Sequence, residues 1–339
     1  MTVTGRSLDQ DAISRLSTSF AEARLLQTAV ELGVFEFLAH RPATRAQLGS
    51  ELGLHPRLGR DFFNSLVALG LLERTDDDLY RNSPPAQQYL VPGGTVFLGG
   101  RIRTAAQRHY HSWGRLSELL REGHLTGDGD KVFDRLYTEP ERARTFFGHM
   151  DANNALVAQQ LTEQIDWSGY RSFVDVGGAR GNVAAVLATA HPHLRGGVFE
   201  LPGVEPFFDE LMAERGLAGD VTFYPGDFFA DPLPAADVLI FGHVLHDWPA
   251  ERCRELLQRA HDTLRPGGAV LIYDQMLDEH DPDLRSLIGS LNVALMTAGG
   301  SEYTVADCRG WVEQAGLRVE SVLALPKGND SVLLARRPA

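Results

Sequence analysis

The apolar positions of the chain change period as the sequence proceeds. From residue 8 to about residue 38 they fall at Ile13, Leu16, Phe20, Ala23, Leu26, Val30 and Leu32, close to the 3.6-residue repeat that predicts a helix. Two shorter helices are expected next, one over 44–53 stopped by Gly53 and one over 56–69 ending at Gly70. Residues 71–74 and 79–82 then flank the polar turn Thr75-Asp76-Asp77-Asp78, a small hairpin. Helix, helix and hairpin make a winged-helix arrangement. Residues 101–165 return to a helical pattern, with loop signals around 123–130. After Trp167 the texture switches to short apolar runs at 171–176, 197–201, 221–224, 237–242 and 269–273, separated by helical stretches. Such alternation predicts an α/β domain with a parallel sheet covered by helices on both faces. The last two runs, 318–325 and 331–336, are joined by only 326–330, too short for a parallel crossover, so they are expected to pair antiparallel.

Composition narrows this picture. At 339 residues, 43% hydrophobic and 23% charged, the chain reads as globular. Its expected segments are 1–100 (winged-helix), 101–165 (linking helices) and 166–339 (ligand-binding α/β domain). No run of about 18 uncharged apolar residues predicts a membrane span, and the opening residues lack a secretory pattern. The two cysteines, Cys253 and Cys308, give neither a disulfide framework nor a metal cluster. A cytoplasmic protein with no membrane partner is expected. Net charge is −13, and residues 1–110 carry 12 Arg plus Lys against 11 Asp plus Glu. The acidic hairpin tip would meet phosphate with like charge, so a pairing module or lid is favoured over nucleic-acid binding.

In parallel sheets of this kind, ligands bind at the C-terminal ends of the strands. The first strand runs into Val174-Asp175-Val176-Gly177-Gly178-Ala179-Arg180-Gly181, where glycines allow close backbone approach. The second ends at Glu200, placed to accept hydrogen bonds from two ribose hydroxyls. The third gives Gly226-Asp227-Phe228-Phe229, an acid and a ring suited to an adenine. The glycine spacing departs from the G-x-G-x-x-G of dinucleotide sites, which argues against a nicotinamide cofactor.

These motifs stand in order with Phe199-Glu200-Leu201-Pro202-Gly203-Val204, His246-Asp247-Trp248, Leu264-Arg265-Pro266-Gly267-Gly268 and Gly299-Gly300-Ser301-Glu302-Tyr303-Thr304. Over nearly its whole length the chain resembles the small-molecule O-methyltransferases of the plant caffeic acid, acetylserotonin and bacterial polyketide-tailoring type. The resemblance implies a class I methyltransferase Rossmann-like sheet, parallel with a C-terminal antiparallel strand, plus an N-terminal dimerisation domain and a homodimer. It also implies S-adenosylmethionine as donor, S-adenosylhomocysteine as product and no metal, since the sequence displays no carboxylate-rich cluster of the catechol type. On this resemblance Phe133, Met150, Asn154, Gly177, Gly178, Glu200, Leu201, Asp227, Phe228 and Gly242 contact the donor. Gly242 stands where the plant enzymes carry lysine, leaving only its backbone, and Ala179 replaces a glycine, a change expected to be harmless at an ordinary φ.

Methyl transfer from a sulfonium is an in-line displacement that needs an acceptor stripped of its proton. His246 is the expected general base, oriented by Asp274 and Glu302. Asp274, one methylene shorter than the glutamate of the plant enzymes, is expected to reach less well. Leu136, His243, Asp247, Asn292, Val293 and Met296 are the expected acceptor contacts, with Tyr110, His111 and Trp113 closing the pocket. The acceptor implied is a small aromatic hydroxyl compound: phenolic, naphthoate or polyketide. N-methylation or decarboxylation and hydroxylation on the same fold is the alternative, and a donor-sensing DNA-binding regulator the more distant one.

Overall fold

The computed structural model describes residues 8–93, 97–123 and 139–338. The chain divides into two compact units, Met1–Gly114 and Arg115–Ala339. The stretch 101–165 is therefore shared between the units.

In the first unit, helix α1 (Gln10–Glu31) starts at Asp9, whose side chain caps the Ala12 N–H. The single long helix expected over 8–38 is in fact two. Gly33 takes φ 72°, ends α1, and starts α2 (Val34–Leu38) in a new direction. Helix α3 (Arg45–Glu51) is fixed by a capping box between Thr44 and Gln47, and α4 (Gly59–Ala68) follows. Strands β1 (Leu72–Arg74) and β2 (Tyr80–Asn82) pair antiparallel as the expected hairpin. Helices α5 (Pro84–Tyr89) and α6 (Gly99–Thr104), a π-helical turn (Ala105–His109) and α7 (Tyr110–Trp113) complete the unit. Its core gathers Val34, Phe35, Leu48, Phe63, Leu66 and Leu72.

The second unit opens with α8 (Leu116–Glu122) and the long α9 (Pro140–Gln164). Strand β3 (Ser172–Val176) leads to α10 (Asn182–Ala190), β4 (Arg195–Glu200) to α11 (Glu205–Arg215), and then β5 (Val221–Pro225) and β6 (Val238–Gly242). Helix α12 (Ala250–Thr263), β7 (Ala269–Asp274), α13 (Leu284–Met296), α14 (Val305–Gln314), β8 (Arg318–Ala324) and β9 (Ser331–Arg336) follow. The sheet order is β5-β4-β3-β6-β7-β9-β8. Strands β3 to β7 pair parallel, while β9 is antiparallel to both β7 and β8.

Alternation along the central strands serves two cores. Phe173, Val238 and Ile240 join Trp167, Leu161 and Leu187 on one face. Val174, Val176, Leu239 and Phe241 join Leu256, Leu257 and Val312 on the other. Both faces are covered, which is why these strands read as continuous apolar runs. Strand order reverses between β3 and β6, and a ligand crevice is expected at their C-terminal ends.

Candidate active site

At the end of β3, Gly177 takes φ 73°, and a Cβ there would come within 2.7 Å of Val244 Cγ2. Only glycine lets this turn sit against the segment after β6. Gly178 accepts the Gly181 N–H through its carbonyl at 2.9 Å. Ala179 departs from expectation: its φ is 49°, in the left-handed region, which costs a non-glycine residue on the order of 1 kcal/mol. The turn is nonetheless braced, because Ala179 N–H donates to Glu200 Oε2 at 3.1 Å and Leu201 N–H donates to Oε1 at 2.8 Å. Two backbone donors thus orient a buried carboxylate at the tip of β4, with lone pairs remaining for a further donor on each oxygen.

Asp175 lies behind this turn, 2% exposed. Burial pushes both Asp175 and Glu200 up to about 7, with the Glu200 charge adding to the effect at Asp175 and the two backbone N–H groups opposing it at Glu200. The linkage sign follows: carboxyls whose folded pKa is raised stabilise the fold fully below their unfolded values and lose that contribution as pH rises through about 7. The ligand-free protein is expected to melt at a lower temperature at pH 8 than at pH 5.5. A melting temperature that rises over this interval in calorimetry would contradict the assignment.

Arg180 Nε donates to Asp151 Oδ2 at 2.8 Å and ties the turn to α9. On the same helix Met150 is half-buried and Asn154 buried, and Asn154 Oδ1 has no hydrogen-bond partner among the described residues. Phe133 and Leu136 lie outside the described residues.

At the end of β5, exposed Asp227 accepts the Phe229 N–H at 2.8 Å. Phe228 and Phe229 pack edge-on at 4.8 Å, both meet Trp248 edge-on, and the Arg252 guanidinium covers Phe229 at 3.6 Å. Trp248, from the His-Asp-Trp motif, therefore holds the aromatic pair after β5.

The segment after β6 brings two histidines up to a group of acids. Gly242 is required sterically, since a Cβ there would lie 1.9 Å from the Tyr273 ring. His243 follows at φ 52°, then a short 3₁₀ turn (Leu245–Asp247) presents His246. His246 Nδ1 lies 3.0 Å from Glu302 Oε1 and 3.2 Å from Asp274 Oδ1, and Nε2 lies 3.7 Å from Asp247 Oδ1. The shorter Asp274 thus reaches the ring nearly as closely as Glu302, because the end of β7 adjoins the end of β6. Tyr303 O–H donates to Asp274 Oδ2, fixing the carboxylate from the side away from the imidazole.

His243 turns its two nitrogens to two acids, Nδ1 to Asp274 Oδ1 and Nε2 to Asp330 Oδ1, each at 3.4 Å. Asp330, from the loop between β8 and β9, went unnoticed in the sequence, as did Tyr303 as an Asp274 partner. Asp247, Asp274, Glu302 and Asp330 converge here, so a carboxylate-rich centre does exist; the sequence hides it because its members come from four separate stretches of the chain. Potential ligand atoms of His243, His246 and Asp274 fall within 4.8 Å of one another, with Asp274 Oδ1 lying between the two rings and without a hydrogen-bond partner among the described residues.

Burial alone would depress both imidazoles. At His246 the carboxylates of Asp274, Asp247 and Glu302 outweigh it and raise the ring well above its ordinary value; at His243 Asp274 and Asp330 raise the ring above its ordinary value. Burial pushes Asp247 up to about 6 against the pull of His246.

On α13, Asn292, Val293 and Met296 are half-buried. Tyr110, His111 and Trp113 belong to the first unit, where Arg24 lies over the Tyr110 ring at 5.2 Å.

Residues 113–318 match the model of an O-methyltransferase domain, and residues 14–92 that of an O-methyltransferase dimerisation domain. The chain is 45% identical to the tetracenomycin polyketide synthesis 8-O-methyl transferase TcmO of Streptomyces glaucescens, over 96% of each chain. It is 44% identical to the N,N-dimethyltransferase OxyT of Streptomyces rimosus, over 91% of this chain and 90% of that one. Among solved structures, human N-acetylserotonin methyltransferase in complex with SAM superposes with a TM-score of 0.86 at 26% identity, covering 99% of this chain and 100% of the other.

Proposed function

Since the chain belongs to the S-adenosylmethionine-dependent O-methyltransferases that join a dimerisation domain to this catalytic domain, we propose that it methylates a hydroxyl of an aromatic, polyketide-like small molecule with His246 as general base. One observation carries this reading: Glu302 and Asp274 face Nδ1 of His246, so the neutral ring keeps its proton on that nitrogen and offers the Nε2 lone pair to the acceptor's proton. The aromatic polyketide part draws support from the named substrate of TcmO.

The residues present fit the donor. Asn154 holds a buried Oδ1 without a partner, suited to an ammonium group, and the braced Glu200 carboxylate suits vicinal hydroxyls. Asp227 and Phe228 would take the adenine, and Gly177, Gly178, Leu201, Met150 and the Gly242 backbone would line the remainder. When bound, the donor supplies an electrophilic methyl group on a sulfonium. The chain's part is to align the acceptor and hold the proton at Nε2, with Asp247, Asn292, Val293 and Met296 as acceptor contacts.

Catalysis without a metal belongs to the same proposal, supported by the two imidazoles that face Asp274 Oδ1 at 3.2 and 3.4 Å and can balance its charge. A homodimer through the dimerisation domain is supported by the apolar residues Ile13, Leu16 and Phe20 left exposed on α1. Pairing rather than nucleic-acid binding is supported by the acidic hairpin, where Asp78 is paired with Arg74. A cytoplasmic location is supported by two free buried cysteines; among the described residues no helix is long and apolar enough to cross a membrane.

The 44% identity to OxyT favours a second reading, methylation of an amine. Isotope-labelled S-adenosylmethionine offered with matched naphthol and aminonaphthalene acceptors separates them. Label is expected on the hydroxyl compound, at an undiminished rate after exhaustive chelation. Label confined to the amine, or activity lost on chelation and restored by a divalent cation, would overturn the respective part.

A further inference from the structure

Sequence reasoning treats His243 as an acceptor contact, yet its surroundings describe a different task. Its backbone is held in the left-handed region, φ 52°, by its N–H donating to the Tyr273 carbonyl at 3.0 Å. A β-substituted residue there bears a strain that glycine would relieve, so the side chain is retained against a conformational cost. The side chain is only 10% exposed. The groups facing it come from every neighbouring element: Asp274 and the edge-on Tyr273 ring from β7, Asp330 from the loop between β8 and β9, and His246 at 5.5 Å between ring centroids. Behind Asp274 stand Tyr303 and Glu302, and beyond His246 stands Asp247.

We propose that His243 is a positioning residue: an imidazolium clamped between Asp330 and Asp274 that shares Asp274 with the base and so limits the negative charge acting on His246. Three carboxylates around one histidine, Asp274, Asp247 and Glu302, would hold its proton too firmly for a base. A second charged ring, lying 3.4 Å from Asp274 and from Asp330, offsets them, and its like charge opposes protonation of His246. Asp330 has its role here: its Oδ1 lies 3.4 Å from the far nitrogen of His243, and its charge favours the protonated ring. Its loop is fixed to α9 by Gln160, whose side chain accepts the Lys327 N–H and donates to the Lys327 carbonyl, both at 2.8 Å. The proposal rests on His246 being the base, and its test can fail separately from that assignment.

The test uses the full-length chain and the variants His243→Asn, which suits a left-handed backbone, and His243→Gln. Circular dichroism checks that each folds. In both, the acid limb of the kcat/KM profile is expected to move to higher pH by about one unit, with KM for the donor unchanged. Nitrogen-15 histidine NMR of the ligand-free protein gives an independent readout: His243 is expected to carry protons on both nitrogens at pH 7.5, and in Asp330→Asn to lose one at lower pH than in the parent. A neutral His243 at pH 7.5, or folded variants whose His246 resonance titrates at the parental pH, would overturn the proposal. A His246 resonance that shifts with His243→Asn while the rate profile stays put would uphold the charge coupling and instead refute His246 as the base.

Discussion

Replacing His246 with alanine is expected to lower kcat by about 10²–10⁴, the span typical of a lost general base, while donor affinity stays within about threefold of the parent. The expectation follows from where the ring's contacts go. Its Nδ1 side faces Glu302 and Asp274, and among the described residues its Nε2 side lies 3.7 Å from Asp247. Among the described residues the side chain bonds none assigned to the donor, so alanine removes the proposed proton acceptor and leaves the glycine turn untouched. Steady-state rates at saturating acceptor, paired with calorimetric donor titration, separate the two effects. Undiminished turnover would reduce catalysis to alignment alone; a parallel collapse of donor affinity would mean that the ring shapes the donor site.

Glu200→Ala is expected to act in the opposite manner, weakening donor binding by about 30–100-fold. Hydrogen bonds to a charged group contribute about 1.5–3 kcal/mol each, and every 1.4 kcal/mol is a factor of ten. Glu200 holds its carboxylate in place with the Ala179 and Leu201 N–H groups, so the variant also loses the brace on a turn whose Ala179 is strained. Two roles are therefore possible, and donor titration distinguishes them. If donor affinity changes less than threefold while the ligand-free melting temperature falls, Glu200 braces the turn and does not bind the ribose.

Much of the fold is legible in the chain because its signals are local. Short apolar runs, glycine stops and the five-residue link before β9 suffice for the sheet, and the contiguous His-Asp-Trp motif announces the base. What escapes is whatever depends on distant residues meeting. Asp330 reads as a loop acid until the β8–β9 hairpin folds back beside β7 and delivers it to His243. Tyr303 reads only as part of the motif at 299–304 until its hydroxyl is seen on Asp274. Asp274 was expected to fall short from side-chain length alone, although its distance to His246 is set by the adjacency of β6 and β7. Backbone conformation is the other hidden quantity: neither the break of the first helix at Gly33 nor the positive φ of Ala179 follows from the apolar period.

The two acids are assigned to act through one ring, and a double-mutant cycle addresses that assignment directly. Glu302→Gln in the parent is expected to lower kcat by roughly tenfold or more, and in the His246→Ala background by less than about twofold, because groups acting as a unit are non-additive. Full additivity, with Glu302→Gln costing the same factor in both backgrounds, would show that Glu302 works independently of His246 and would contradict the base assigned here.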